Sequence, residues 1–156
     1  MNRGWKIVLT GIAVVGLAGA ARAPEKAPRK QLIAPSGVKP TGLPFSPGLM
    51  VGDTLYLSGV VGADANGKLA AGGFEPEMRQ AMANAHAVLQ AGGLDFADVV
   101  AVNVYLADMK DFGQLNQIYR EYFKTEPLPV RATVAVSGLA LGAKMEISMT
   151  AARTSK

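Results

Sequence analysis

The segment 99–106 constrains the fold more than any other part of the chain, because both of its faces are apolar. Its sequence, Val-Val-Ala-Val-Asn-Val-Tyr-Leu, is rich in β-branched residues and predicts a strand. The even-numbered positions form one apolar face, and the odd-numbered positions form a second that only Asn103 interrupts. A strand of this kind predicts a sheet that is covered on both sides.

Two amphipathic helices are predicted, one before and one after this strand. Residues 74–91 repeat apolar side chains at three- and four-residue steps, and Gly92-Gly93 follows as a helix end. Residues 111–123 repeat the pattern, and Pro127 and Pro129 follow. The expected core-facing residues are Met78, Ala81, Met82, Ala85, Val88 and Leu89 in the first helix, and Phe112, Leu115, Ile118, Tyr119 and Tyr122 in the second.

Further strands are predicted at 55–61, which follows a turn at 51–54, and in the alternating runs 131–136 and 144–149. The order β, β, α, β, α, β, β predicts an α+β fold in which two helices cover one face of a sheet. Because two helices cannot cover both faces, a second subunit is expected on the other one. Loops or the Pro-rich N-terminal segment are the alternative cover.

The N-terminal residues 1–23 predict a signal peptide. A short basic start is followed by an uncharged run over 7–20, and the small residues around Ala20 and Ala23 suit cleavage by signal peptidase. The run is shorter than the roughly 20 residues that cross a bilayer; an uncleaved anchor is the alternative. Residues 24–40, rich in Pro and Lys/Arg, predict a solvated linker before a domain at 41–156. We therefore expect a periplasmic or secreted protein that is free of the membrane after cleavage.

Charge and composition exclude several classes of function. The net charge of +4 comes from the first forty residues, since 41–156 carry nine basic and eleven acidic side chains. A nucleic-acid partner is therefore not expected. The chain has no cysteine and one histidine, His86, which lies at the border of the apolar face of the first helix. We expect no metal site and no histidine-based catalytic triad.

The alternation of the last two strands selects Arg131 and Glu146 as candidate functional residues. Arg131 and Thr133 share one face of their strand, and we expect Arg131 and Glu146 on the sheet face away from the helices. In a crevice between subunits, a planar guanidinium suits a carboxylate, and a glutamate can hold or deprotonate a water. The pair therefore suggests a site for a small carboxylic acid. A purely structural ion pair is the alternative.

The same region resembles the C-terminal signature of the Rid (YjgF) family. The resemblance rests on Leu128-Pro-Val-Arg-Ala-Thr-Val and Gly142-Ala-Lys-Met-Glu-Ile. Pro44-Phe-Ser-Pro-Gly, Val51-Gly-Asp-Thr-Leu-Tyr-Leu-Ser-Gly and Val104-Tyr-Leu-Ala-Asp-Met fall in the family's order, so that the resemblance covers residues 41–152.

The resemblance implies homotrimers of chorismate-mutase-like subunits with sites between subunits. It implies hydrolysis of reactive 2-enamine or 2-imine acids, such as 2-aminoacrylate, to 2-keto acids and ammonia, without a metal or organic cofactor. Arg131 would anchor the substrate carboxylate, and Glu146 would position the attacking water and relay protons. Further positions that match the family's cleft are Ser58, Asn116, Thr133 (through its backbone) and Phe45.

Two departures from the family pattern keep other functions open. Phe45 stands where many members have tyrosine and Val60 where many have glutamine, which would make the pocket more apolar. Export would also separate the protein from the cytosolic pyridoxal-phosphate enzymes that generate such imines. The alternatives are a non-catalytic binding protein for keto acids and an endoribonuclease-like role. The slightly acidic domain and the lack of a histidine pair argue against the latter.

Overall fold

The computed structural model describes residues 29–36, 42 and 44–153. The predicted signal peptide and most of the predicted linker lie outside these residues. The elements within them are β1 (Lys30–Ile33), β2 (Gly48–Val51), β3 (Thr54–Leu57), β4 (Val60–Val61), α1 (Phe74–Ala91), β5 (Val99–Leu106), α2 (Phe112–Tyr122), β6 (Val130–Ala135) and β7 (Met145–Ala152). Neither helix of this part of the chain is long and apolar enough to cross a membrane.

All the strands belong to one mixed sheet. Its order is β1-β2-β3-β7-β5-β6, and β4 also pairs with β7, beyond the end of β3. Every pair is antiparallel except β5–β6, which is parallel and is connected by the crossover that contains α2. The predicted α+β fold is thus confirmed: two helices pack on a mixed sheet.

The core lies between the two helices and one sheet face. All six residues predicted to face the core from α1 are buried. In α2, Leu115, Ile118 and Tyr119 are buried, whereas Tyr122 is half-buried and Phe112 is 38% exposed. The exposure of Phe112 reflects its position at the first turn of α2, where it lies beside Arg131 rather than in the core.

Strand β1 corrects the prediction that residues 24–40 are a linker. Lys30–Ile33 pairs antiparallel with β2 at the edge of the sheet. Of its four side chains only that of Ile33 is buried. The polar composition therefore predicted correctly that most of these side chains are exposed. It could not predict the strand, because an edge strand is held by backbone hydrogen bonds that do not depend on side-chain polarity.

A β-bulge in β5 corrects the predicted faces of that strand. Val99 pairs with Ala151 and Ala101 pairs with Thr150, so Val100 is an extra residue on this side of the ladder. Val99 is buried and Val100 is 43% exposed, the reverse of a strict alternation with Val102.

Neither helix covers the second face of the sheet, which we call the outer face. Tyr56 of β3 and Val134 of β6 lie on it and are 51% and 47% exposed. Leu32 of β1, at 61%, adds a further apolar side chain. The outer face therefore presents apolar surface that the described part of the chain leaves open.

Candidate active site

Arg131 is held by three side chains of α2. Its Nη2 donates a hydrogen bond to Oδ1 of Asn116 at 2.6 Å. Its guanidinium carbon lies 4.5 Å from the ring centroid of Tyr119 and 5.8 Å from that of Phe112. Among the ion pairs of the described residues none involves Arg131. The guanidinium is thus oriented by stacking and one hydrogen bond, and it keeps donors for a ligand.

The α2 residues that hold Arg131 follow a helical spacing. Phe112, Asn116 and Tyr119 are four and three residues apart and therefore share one face of the helix. The sequence predicts Asn116 as a site residue and Phe112 and Tyr119 as core residues; Tyr119 is buried as predicted, but its ring also faces Arg131. The helical spacing around Asn116 could have identified both aromatic residues as part of the site, since it places their rings on the same face of α2 as the amide.

Two buried hydroxyl groups accompany this arginine. Within the described residues, the hydroxyl of Tyr119 and Oγ1 of Thr133 are buried without a hydrogen-bond partner. Burial raises the pKa of Tyr119 to about 12, and the charge of Arg131 opposes that shift. The phenol is therefore neutral at physiological pH, and both hydroxyls have hydrogen-bonding capacity to spare.

Glu146 lies on the outer face of the sheet, as predicted. Its register partners are Tyr105 of β5 and Val61 of β4, whereas its neighbours along β7, Met145 and Ile147, are fully buried on the helix side. The side chain of Glu146 is half-buried rather than free in solvent.

The carboxylate of Glu146 rests against the break between β3 and β4. A Cβ atom built on Gly59 would overlap Oε1 of Glu146, so a larger residue at this position would displace the carboxylate. Ser58 precedes Gly59, and its N–H donates to the carbonyl of Pro47 at 3.0 Å. This bond brings the segment containing Phe45, itself 56% exposed, to the same end of β3. The strand predicted over 55–61 is interrupted here, and the interruption accommodates Glu146.

Arg131 does not share the outer face with Glu146, and the prediction that it would is wrong. Arg131 pairs with Val102 and Thr133 with Val104, both of which are buried on the helix side. Residues opposite each other in a ladder point to the same face, so Arg131 and Thr133 point toward α2. Ala132 and Val134, on the opposite face of this strand, are exposed. The predicted alternation along β6 is correct, but the polar residues of this strand face the helices and the apolar ones face outward.

The candidate residues consequently form two groups within one chain. The first group, which we call the arginine half, lies between α2 and β6 and consists of Arg131, Asn116 and Thr133. The second group, which we call the glutamate half, lies on the outer face and consists of Glu146 with Ser58 and Gly59 beside it. The strands that carry Arg131 and Glu146 are separated by β5, their register positions differ by three residues, and the two side chains point to opposite sides of the sheet. Neither a structural ion pair nor a shared site can therefore form between them inside one chain.

Two other residues singled out by the sequence lie elsewhere. Val60 is the partner of Ile147 and packs against the core, so it does not line the glutamate half and does not make it more apolar. His86 lies on α1, with Nε2 3.1 Å from Asp95 and its ring stacked on Phe96. It belongs to neither half.

A family model described as Endoribonuclease L-PSP matches residues 37–153. The human protein named 2-iminobutanoate/2-iminopropanoate deaminase is 41% identical over 109 residues, which cover 69% of this chain and 79% of the relative. The chain belongs to the Rid family. Its sequence match extends over nearly all of the folded part, including both halves of the site.

Solved structures of similar proteins have the same fold. RidA from an Antarctic Psychrobacter species is 33% identical with a TM-score of 0.73, and the match covers 79% of this chain and 99% of that one. TdcF from E. coli, solved with bound serine, is 25% identical with a TM-score of 0.72, over 80% of this chain and 100% of that one. The family's architecture therefore applies to the whole described domain.

Proposed function

We propose that this protein hydrolyses 2-imine or 2-enamine carboxylic acids of the 2-aminoacrylate type to 2-keto acids and ammonia. The observation that carries the proposal is the guanidinium of Arg131, which is oriented by Asn116 and Tyr119 but has no carboxylate partner within the described chain. The name of the human relative, a deaminase of two small 2-imino acids, supports the same substrate class.

We further propose that each site is assembled from two copies of the chain. The arginine half and the glutamate half lie on opposite sides of one sheet. Packing the apolar outer face of one copy against a neighbour would bring the neighbour's arginine half toward Glu146. A closed ring of three copies, as the Rid resemblance implies, would repeat this contact without leaving an outer face uncovered.

The proposed chemistry needs positioning more than activation. Arg131 would bind the substrate carboxylate through two parallel N–H donors, which places C2 of the imine beside the partner copy's glutamate half. Glu146 would accept a proton from a water as the water oxygen attacks C2 of the protonated imine, which gives a carbinolamine. Glu146 would return that proton to nitrogen and accept the proton of the new hydroxyl group, so that the C–N bond breaks, ammonia leaves and a C2 carbonyl remains. The reaction consumes one water and requires no redox partner.

The test is release of keto acid and ammonia from a freshly generated 2-imino acid by the purified domain. Arg131→Ala should lower kcat/KM by a factor on the order of a hundred or more, because the carboxylate loses a charge-assisted pair. Arg79→Ala is the matched control, since Arg79 lies on the surface of α1 in ion pairs with Glu75 and Glu121. Wild-type protein that does not exceed the spontaneous hydrolysis rate contradicts the proposal.

A binding role without turnover is the second candidate. The structure of TdcF with bound serine shows that a protein of this fold can hold a small amino acid. Saturable binding of a 2-keto acid by a protein that leaves the imine hydrolysis rate unchanged would favour this function over the deaminase.

We also propose that residues 1–23 direct export, because their pattern of basic, apolar and small residues is that of a signal peptide. N-terminal sequencing after expression in a Gram-negative host should find a periplasmic chain that begins after Ala20, or after Ala23. A cytoplasmic chain that still carries the apolar run would contradict this proposal.

A further inference from the structure

Glu77 is a buried carboxylate that the proposed chemistry does not use. It lies in the first turn of α1 and is 4% exposed. Its Oε1 accepts hydrogen bonds from the backbone N–H groups of Lys144, at 2.5 Å, and Met145, at 3.2 Å. These two residues immediately precede Glu146, so that Glu77 fixes the backbone on which Glu146 stands.

Packing alone does not explain a carboxyl group at position 77. An isolated buried carboxylate is strongly unfavourable, and among the described ion pairs none involves Glu77. The two N–H donors and the N-terminal end of α1 offset that cost. An apolar side chain would fill the same space, but it would leave two backbone donors unpaired and would release the start of β7.

The same helix also fixes β4, a strand that pairs with β7 at Glu146. A Cβ atom on Gly62 would overlap the backbone carbonyl of Glu77, so the end of β4 lies directly on α1. Asn84, two turns further along α1, donates from Nδ2 to the carbonyls of Val61 at 3.0 Å and Ala63 at 2.8 Å. Val61 is the β4 partner of Glu146. Polar groups of α1 therefore hold the start of β7, which carries Glu146, and the end of β4, which pairs with it.

We propose that Glu77 is a positioning residue that sets where the Glu146 carboxylate lies against Gly59. The inference rests on the proposed function, in which Glu146 handles water. The reach of the Glu77 side chain is what matters: it spans from α1 to the N–H groups of Lys144 and Met145. Shortening the side chain would let the start of β7 shift, and a displacement near 1 Å can cost an active site about a hundredfold in rate.

Three variants separate reach from charge. Glu77→Asp keeps the charge but shortens the side chain by one methylene, whereas Glu77→Gln keeps the length and an acceptor oxygen but loses the charge. Glu75→Asp, an exposed position on the same turn, is the matched control. For each we would measure kcat and KM for imine hydrolysis, the Kd for 2-oxobutanoate, the melting temperature and a crystal structure.

We expect kcat of Glu77→Asp to fall on the order of tenfold or more, while the Kd for 2-oxobutanoate, which depends on Arg131, stays within about twofold. Glu77→Gln should restore most of kcat, and the crystal structure of Glu77→Asp should show the Glu146 carboxylate displaced from Gly59.

A Glu77→Asp protein with wild-type kcat, or one in which Glu146 has not moved, overturns the proposal. Loss of melting temperature with unchanged kcat in the folded fraction shows a purely structural role. If wild-type protein shows no turnover, the proposed function fails, and the position of Glu146 in the two crystal structures still decides the role of Glu77.

Discussion

At the scale of single residues, the arginine half owes its order to the face of one helix. Asn116 and the rings of Phe112 and Tyr119 orient the guanidinium of Arg131 without neutralising it. A donor group that is already oriented loses less conformational entropy when a ligand binds. The arrangement therefore favours a planar anion that takes two parallel hydrogen bonds over a diffuse negative charge.

Replacing Arg131 by lysine tests this geometry, because the charge is kept while the planar fork is lost. We expect Arg131→Lys to weaken 2-oxobutanoate binding by about ten- to a hundredfold, which corresponds to the loss of bidentate and stacking contacts. Isothermal titration calorimetry measures the change, and Arg79→Lys on the surface of α1 is the control. Equal affinities for wild type and Arg131→Lys would show that charge alone binds the ligand.

The buried phenol of Tyr119 makes a prediction about alkaline pH. Burial raises its pKa to about 12 in the folded protein, whereas an unfolded chain titrates near 10. Because the folded pKa is raised, the stability from this group is complete below about pH 10 and is lost as the pH approaches 12. In Tyr119→Phe that loss disappears, so the fall in unfolding free energy between pH 9 and 12 should be about 1–2 kcal/mol smaller than in wild type. Urea unfolding at fixed pH measures both curves, and parallel curves would contradict the prediction.

At the scale of elements, the sequence predicted the helices and strands that have a clear apolar repeat and clear terminating residues. The bounds of α1 and β5 agree with the structure, since a long apolar repeat ended by Gly92-Gly93 and a run of β-branched residues have few alternatives. Periodicity could not show which face of β6 meets the helices. That choice depends on its parallel register with β5 and on two aromatic rings of α2, which are contacts between segments distant in sequence.

The break between β3 and β4 is the element on which the glutamate half depends. Gly59→Ala would place a methyl group where the Glu146 carboxylate lies, so we expect kcat to fall on the order of tenfold or more while 2-oxobutanoate binding by Arg131 is retained. Gly113→Ala is the control, because nothing lies within 4 Å of the added atom. Since alanine is a better helix former, this control should raise the unfolding free energy by about 0.5–1 kcal/mol. Wild-type kcat in Gly59→Ala would show that the contact between residues 59 and 146 has no part in the reaction.

At the scale of the whole molecule, the register of β6 explains both the apolar outer face and the separation of Arg131 from Glu146. Helices on one side of the sheet bury the core, and they leave Tyr56, Val134 and Glu146 on a side that no described element covers. Small apolar residues of β6 face outward because Arg131 faces α2. The same register that places an arginine against a helix therefore also makes the outer face apolar, as an interface between copies requires.

Mixing two inactive variants tests whether one site draws on two chains. Arg131→Ala lacks the arginine half and Glu146→Gln lacks the glutamate half, so each protein alone should be nearly inactive. If every site takes Arg131 from one copy and Glu146 from a neighbour, random assembly of equal amounts restores both residues in about one quarter of the sites. Co-refolded mixtures should therefore recover close to a quarter of wild-type activity, and the recovered activity should elute with the oligomer on gel filtration. The two proteins mixed without refolding serve as the control, because copies that do not exchange cannot complement. A co-refolded mixture as inactive as its components would place both residues of a working site in the same chain, against the positions that the sheet gives them.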